Sequence, residues 1–113
     1  MSYIYYLSMI NEAKNYENPE QFLGSFGYPE KCNCTPDQLI IIFNIIYSVM
    51  KNDLSELVNL SNLTLKSFTE KYQIPMRTAT HWKSGDRSAP EYVINLVGYA
   101  MISEILAGGL YEE

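Results

Sequence analysis

The chain has 113 residues, 47% of them hydrophobic and 19% charged, with a net charge of −5. That length is one domain's worth and can bury a core without staples, and the composition excludes disorder except at the ends. The most apolar run, residues 39–50, contains Asn44 and Ser48 and is too short to span a bilayer.

Other classes fall away on particular residues. The start, Met1-Ser2-Tyr3-Ile4-Tyr5-Tyr6, has no basic region ahead of an apolar one, so no secretory signal is read and a cytoplasmic protein is expected. Cys32 and Cys34, one residue apart, fit disulfide geometry poorly and read as free thiols. The one histidine, His81, lies far from them, and zinc needs about four ligands, so no metal or other cofactor is expected. With one histidine and no Gly-rich phosphate loop there is no constellation for nucleophilic or acid–base catalysis, and the chain is not read as an enzyme.

In chain order the patterning is helical throughout, with no sustained period-2 alternation. A first helix is expected from Ser2 to about Asn15, with Tyr3, Tyr6, Leu7, Ile10 and Ala13 on one face. Asn18-Pro19 starts a short second helix, an N-cap followed by proline at the first position, which stops at Gly24. Residues 24–34 read as loop. Thr35-Pro36-Asp37-Gln38 is a capping box opening a helix to about Lys51 that is apolar nearly all round, the expected buried centre of an all-α domain. Asp53 caps a short helix over residues 54–60.

The next segment is the most informative. Leu65, Phe68 and Tyr72 mark one helix face, and Gln73-Ile74-Pro75 interrupts it, because the residue before proline is pushed out of helical geometry. Met76, Ala79 and Trp82 then recur every three residues as the buried face of a second helix, which Gly85 ends. Two helices of about eight residues around a three-residue turn make a helix-turn-helix. Ser88 and Glu91 read as a capping box for a last helix with Val93, Ile94, Val97, Ala100, Met101 and Ile105 as its core face, closed by Gly108-Gly109. The expected fold is therefore all-α, a single small domain of five to seven helices, with residues 1–62 an N-terminal extension packed on a helix-turn-helix core at 63–107.

The outer face of the second helix of the pair would carry Arg77, Thr78, Thr80, His81, Lys83 and Ser84, none of them acidic. Donors and cations are what a major groove and its flanking phosphates require. Between residues 64 and 90, Lys66, Lys71, Arg77, Lys83 and Arg87 face only Glu70 and Asp86, which leaves +3 here and −8 elsewhere. Screening over roughly 8–10 Å lets such a patch meet phosphates despite the acidic body.

Residues 65–97 resemble the helix-turn-helix of phage-repressor-type regulators, the XRE or lambda-repressor-like family. The matching residues are Phe68, Tyr72, Ile74-Pro75, Arg77-Thr78, Trp82, Gly85, Arg87, Pro90 and Tyr92-Val93. The resemblance covers about a third of the chain. It implies that the helix after the turn enters the major groove of double-stranded DNA, with Met76, Arg77 and His81 at the base-contacting positions, Thr78 supporting them and Arg87 on phosphate. Two departures are plain: about 60 residues precede the motif where the family usually has few, and Met76 stands where a polar side chain often reads a base. The expectation is a small prokaryotic or phage-type DNA-binding regulator acting as a homodimer, through either the last helix or the Tyr-rich first one. The alternative is a protein-binding module on the same scaffold, such as a phage-encoded inhibitor or an antitoxin-like protein.

Overall fold

The computed structural model describes residues 1–27 and 34–108, and within them every regular element is an α-helix. The order is α1 (Tyr3–Ala13), α2 (Pro19–Phe26), α3 (Pro36–Met50), α4 (Leu54–Ser61), α5 (Leu65–Tyr72), α6 (Met76–Ser84) and α7 (Glu91–Leu106). Cys32 and Gly109, used in the sequence reading, lie outside the described residues.

Five of the seven helices begin on a side-chain cap. Ser2, Asn18, Thr35, Asp53 and Thr64 each accept a hydrogen bond from the third residue on, which satisfies an N–H that has no partner within the helix. At α3 the box is complete: Gln38 N–H donates to Thr35 Oγ1 at 3.2 Å, and Thr35 N–H donates to Gln38 Oε1 at 2.9 Å. The box expected from Ser88 and Glu91 is not formed. Pro90 sits at the N-cap of α7 and no side chain caps that helix.

Other boundaries also differ from expectation. Helix α2 runs through Gly24 and ends at Gly27, whose φ of 74° needs glycine. The extra turn buries Phe22 and sets Phe26 against it and against Phe43, with ring centroids 5.6 and 5.8 Å apart. That packing outweighs the roughly 1 kcal/mol penalty of a glycine inside a helix. Helix α1 stops at Ala13 and buries Tyr6, Met9 and Ala13, so Met9 belongs to the inner face while Tyr3, Leu7 and Ile10 are only partly covered. Helix α7, by contrast, is closed at Gly108 as expected: its last residue is Leu106, and Gly108, just past the C-cap Ala107, takes φ 79°.

One hydrophobic cluster runs from Tyr6 to Ile105. Its centre is α3, eight of whose residues are buried, with α1, α2, α4 and α7 packed around it. Helix α7 comes close enough to α3 and α1 that a Cβ added at Gly98 would collide with Val49 Cγ2 and Tyr6 Oη. At the same place the fully buried Tyr6 hydroxyl donates 2.7 Å to the Asn95 carbonyl, and burial pushes that phenol far above its ordinary range. Tyr99 donates 2.6 Å to the Met1 carbonyl, and its ring meets Tyr3 edge-on at 5.0 Å. The two ends of the described chain are thereby tied together.

The Gly98→Ala variant should lose about 1–2 kcal/mol of stability: overpacking costs about 1–3 kcal/mol, and alanine's better helix propensity returns at most about 1. Urea denaturation of the two proteins measures this, and an equally stable variant would mean that α7 does not approach α3 as closely as described.

Candidate nucleic-acid interface

Helices α5 and α6 form a two-helix unit around Gln73, Ile74 and Pro75. The turn is a Schellman arrangement. Gln73 takes φ 56°, ψ 43°, its N–H donates to the Glu70 carbonyl at 3.4 Å, and the Ile74 N–H donates to the Thr69 carbonyl at 2.9 Å. Pro75 stands at the N-cap of α6, one position earlier than the first turn. Phe68 and Ala79 are fully buried between this unit and the core, and Phe68 packs on Tyr72 with centroids 4.9 Å apart. Helix α4 touches both members of the pair. The segment after α6 is anchored separately: Ala89 is buried, and Asn52, at the end of α3, donates its amide to the Ala89 carbonyl at 2.9 Å.

Of the expected buried face of α6, only Ala79 is inside. Trp82 is half-buried and Met76 is 48% exposed. The outward line opposite Ala79 is Arg77, His81 and Ser84, which at 100° per residue point within about 40° of one another's mean direction. Arg77, Thr80, Lys83, Ser84 and Arg87 are exposed, while Thr78 and His81 are partly covered. Two hydroxyls are tied to their own helix, Thr80 donating 2.9 Å to the Met76 carbonyl and Ser84 donating 3.2 Å to that of His81. The first turns of α6 and α7 have no side-chain cap, so the positive ends of two helix dipoles flank the Arg77–Arg87 stretch.

The basic stretch is partly neutralised from outside it, by Glu104. Lys71 Nζ lies 2.6 Å from Glu104 of α7, and His81 Nδ1 lies 3.4 Å from Asp86. Among the described residues, Lys66, Arg77, Lys83 and Arg87 make no ion pair. Beside the first turn of α6 a groove of about 560 Å³ is lined by Lys66, Thr69, Glu70, Gln73, Ile74, Pro75 and Met76. No group of three or more metal-ligating side chains is present among the described residues, and none of their helices is long and apolar enough to cross a membrane. The sequence reading missed the Lys71–Glu104 pair, which joins residues 33 apart and has no local signal.

Comparison of the chain with protein-family models, with curated proteins and with solved structures finds no match.

Tyr72, on the inner side of α5, has a buried hydroxyl with no hydrogen-bond partner among the described residues. Burial first, and the charge of Glu104 second, push its phenol well above the ordinary value of about 10. The folded state therefore holds this proton where the unfolded chain releases it, so stability is intact below pH 10 and falls as pH rises above about 10. Tyr72→Phe should be neutral or slightly stabilising at pH 7, since it removes an unsatisfied hydroxyl, and should make the alkaline loss shallower. Thermal melts of both proteins between neutral and alkaline pH measure this; a variant clearly less stable at pH 7 would show that the hydroxyl is bonded.

Proposed function

We propose that this protein binds double-stranded DNA, with α6 lying in the major groove, and acts as a small regulator of the helix-turn-helix kind. The observation that carries the reading is the outward line Arg77–His81–Ser84 on the second helix of an α5–turn–α6 unit, with Lys83 and Arg87 beside it making no ion pair among the described residues. Arginine projecting from such a helix can pair with guanine O6 and N7, and lysines at its flanks suit phosphates. The resemblance of residues 65–97 to phage-repressor-type regulators points the same way. Arg77 and His81 would meet base edges, Thr80 and Ser84 would act by their hydroxyls, and Lys83, Arg87 and Lys66 would lie on the backbone. Met76 is exposed at the start of α6 and could give a base only apolar contact, to a thymine methyl.

A second reading, a protein-binding module, draws support from the apolar groove at Ile74, Pro75 and Met76 and from the carboxylate of Glu104, which offsets the charge of Lys71. A protein partner would seat an apolar side chain in the groove and leave Arg77 peripheral.

Fluorescence anisotropy with the DNA upstream of its own gene and with a scrambled duplex, at low and physiological salt, separates the two. Selective binding with a steep salt slope is expected. Arg77→Ala should cost about 1–3 kcal/mol on the preferred duplex and relax the preference at one base pair. Lys83→Ala should weaken both duplexes alike and reduce the salt slope by about one. No binding to either duplex at micromolar protein, or unchanged affinity in both variants, overturns the DNA reading in favour of the protein partner.

A further inference from the structure

The methionines of this chain differ sharply in exposure. Met9 and Met101 are fully buried, and Met1 and Met50 are partly buried and packed against the core. Met76, in the first turn of α6, is 48% exposed. Its sulfur lies 3.8 Å from Thr69 Oγ1 of α5, across the turn between the two helices. That contact ties the sulfur down only weakly. The Thr69 hydroxyl has one proton and has the Lys66 carbonyl at 2.8 Å, a far better acceptor than a thioether.

We propose that Met76 is a modification site: a peroxide converts its thioether to the sulfoxide ahead of the other methionines, and the change weakens the α6 face for duplex DNA. In the step a sulfur lone pair attacks one peroxide oxygen. The S–O bond forms as the O–O bond breaks, and the proton on the transferred oxygen passes to the departing hydroxide, which leaves as water. Sulfur is oxidised by two electrons and the peroxide is reduced by two.

The consequence for α6 follows from what the side chain then presents. As a thioether its end is apolar and suits a thymine methyl. As a sulfoxide it is polar and carries a strong acceptor oxygen. Thr69 and Lys66 line the same groove and are donors, and Lys66 makes no ion pair among the described residues. The new oxygen therefore removes an apolar contact to a base and competes with phosphate for the Lys66 ammonium. The loss of affinity rests on the duplex reading above; the position of oxidation does not.

The test treats the full chain with dilute hydrogen peroxide and follows it by mass after trypsin. Residues 72–77 form one tryptic peptide with Met76 as its sole methionine, and residues 88–113 form one with Met101. The first should gain the mass of one oxygen at least about tenfold faster than the second. Equal rates, or faster oxidation of Met1 or Met50, overturn the site. Once Met76 is oxidised, anisotropy should show affinity for the preferred duplex lower by at least about fourfold, the worth of one buried methylene. Sulfoxide reductases for both epimers, with a dithiol that becomes a disulfide as the oxygen leaves as water, should restore it. Met76→Leu, taken against its own untreated affinity, should not respond to peroxide, which separates Met76 from the thiols of Cys32 and Cys34. Duplex affinity unchanged after oxidation of Met76, or lost equally in Met76→Leu, overturns the effect on α6 and leaves the duplex reading standing. An untreated protein that binds no duplex overturns that reading and the loss of affinity with it, and the peptide masses alone then decide the site.

Discussion

The architecture turns on the place where three helices meet with almost no side chain between them. At Gly98 the backbone of α7 lies against Val49 of α3 and the hydroxyl of Tyr6 from α1. Because nothing larger than hydrogen stands there, the flanking residues Ile94, Val97, Met101 and Ile102 reach the isoleucines of α3 and close the core. The Tyr6 hydroxyl would be a liability in so dry a position, but it has the Asn95 carbonyl at 2.7 Å. The same contact thus sets the distance between helices and satisfies the one polar group it buries.

The rest of the molecule divides its charge around that core. Nearly all the carboxylates lie outside residues 64–90, and the basic side chains concentrate within them. The two parts are not electrically separate, since Glu104 reaches across from α7 to hold Lys71. Within residues 64–90, the cations that make no ion pair among the described residues are Lys66, Arg77, Lys83 and Arg87, mostly on or beside α6. An acidic body behind a compact basic edge favours one orientation of approach to a polyanion and disfavours the others.

Local chemistry was legible in the chain and distant chemistry was not. The starts at Asn18-Pro19, Thr35-Pro36-Asp37-Gln38 and Asp53 could be read because a cap is a contact over three residues. The interruption at Gln73-Ile74-Pro75 could be read because proline restricts its own neighbour. Gly24 misled because its propensity is a small penalty beside the burial of Phe22 and Phe26. Ser88 misled because Pro90 and the buried Ala89, held through Asn52, take over the entry to α7. The triplet Met76–Ala79–Trp82 was too simple: three residues turn a helix by 300°, so each member drifts 60° from the last and only the middle one stays inside. Six of the eight candidate contact residues, Met76, Arg77, Thr80, Lys83, Ser84 and Arg87, are exposed; for Arg77 and Ser84 the outward placement follows from helical period once Ala79 is fixed. That Glu104 would draw off the charge of Lys71 depends on where α7 returns, which no local window of sequence contains.

The tie between α1 and α7 also governs how the chain must be made. Helices α1 to α3 leave the ribosome first, but the wall that covers Tyr6, Ile45 and Val49 is contributed by residues 94–102. A nascent chain therefore carries α3 uncovered until residues 94–102 have been made, and α5 and α6 emerge before the core behind them can close. A product cut short ahead of Gly98 would lack that wall and would present its isoleucines to chaperones and proteases. Synthesis of α7 is thus the step on which the burial of α3 depends.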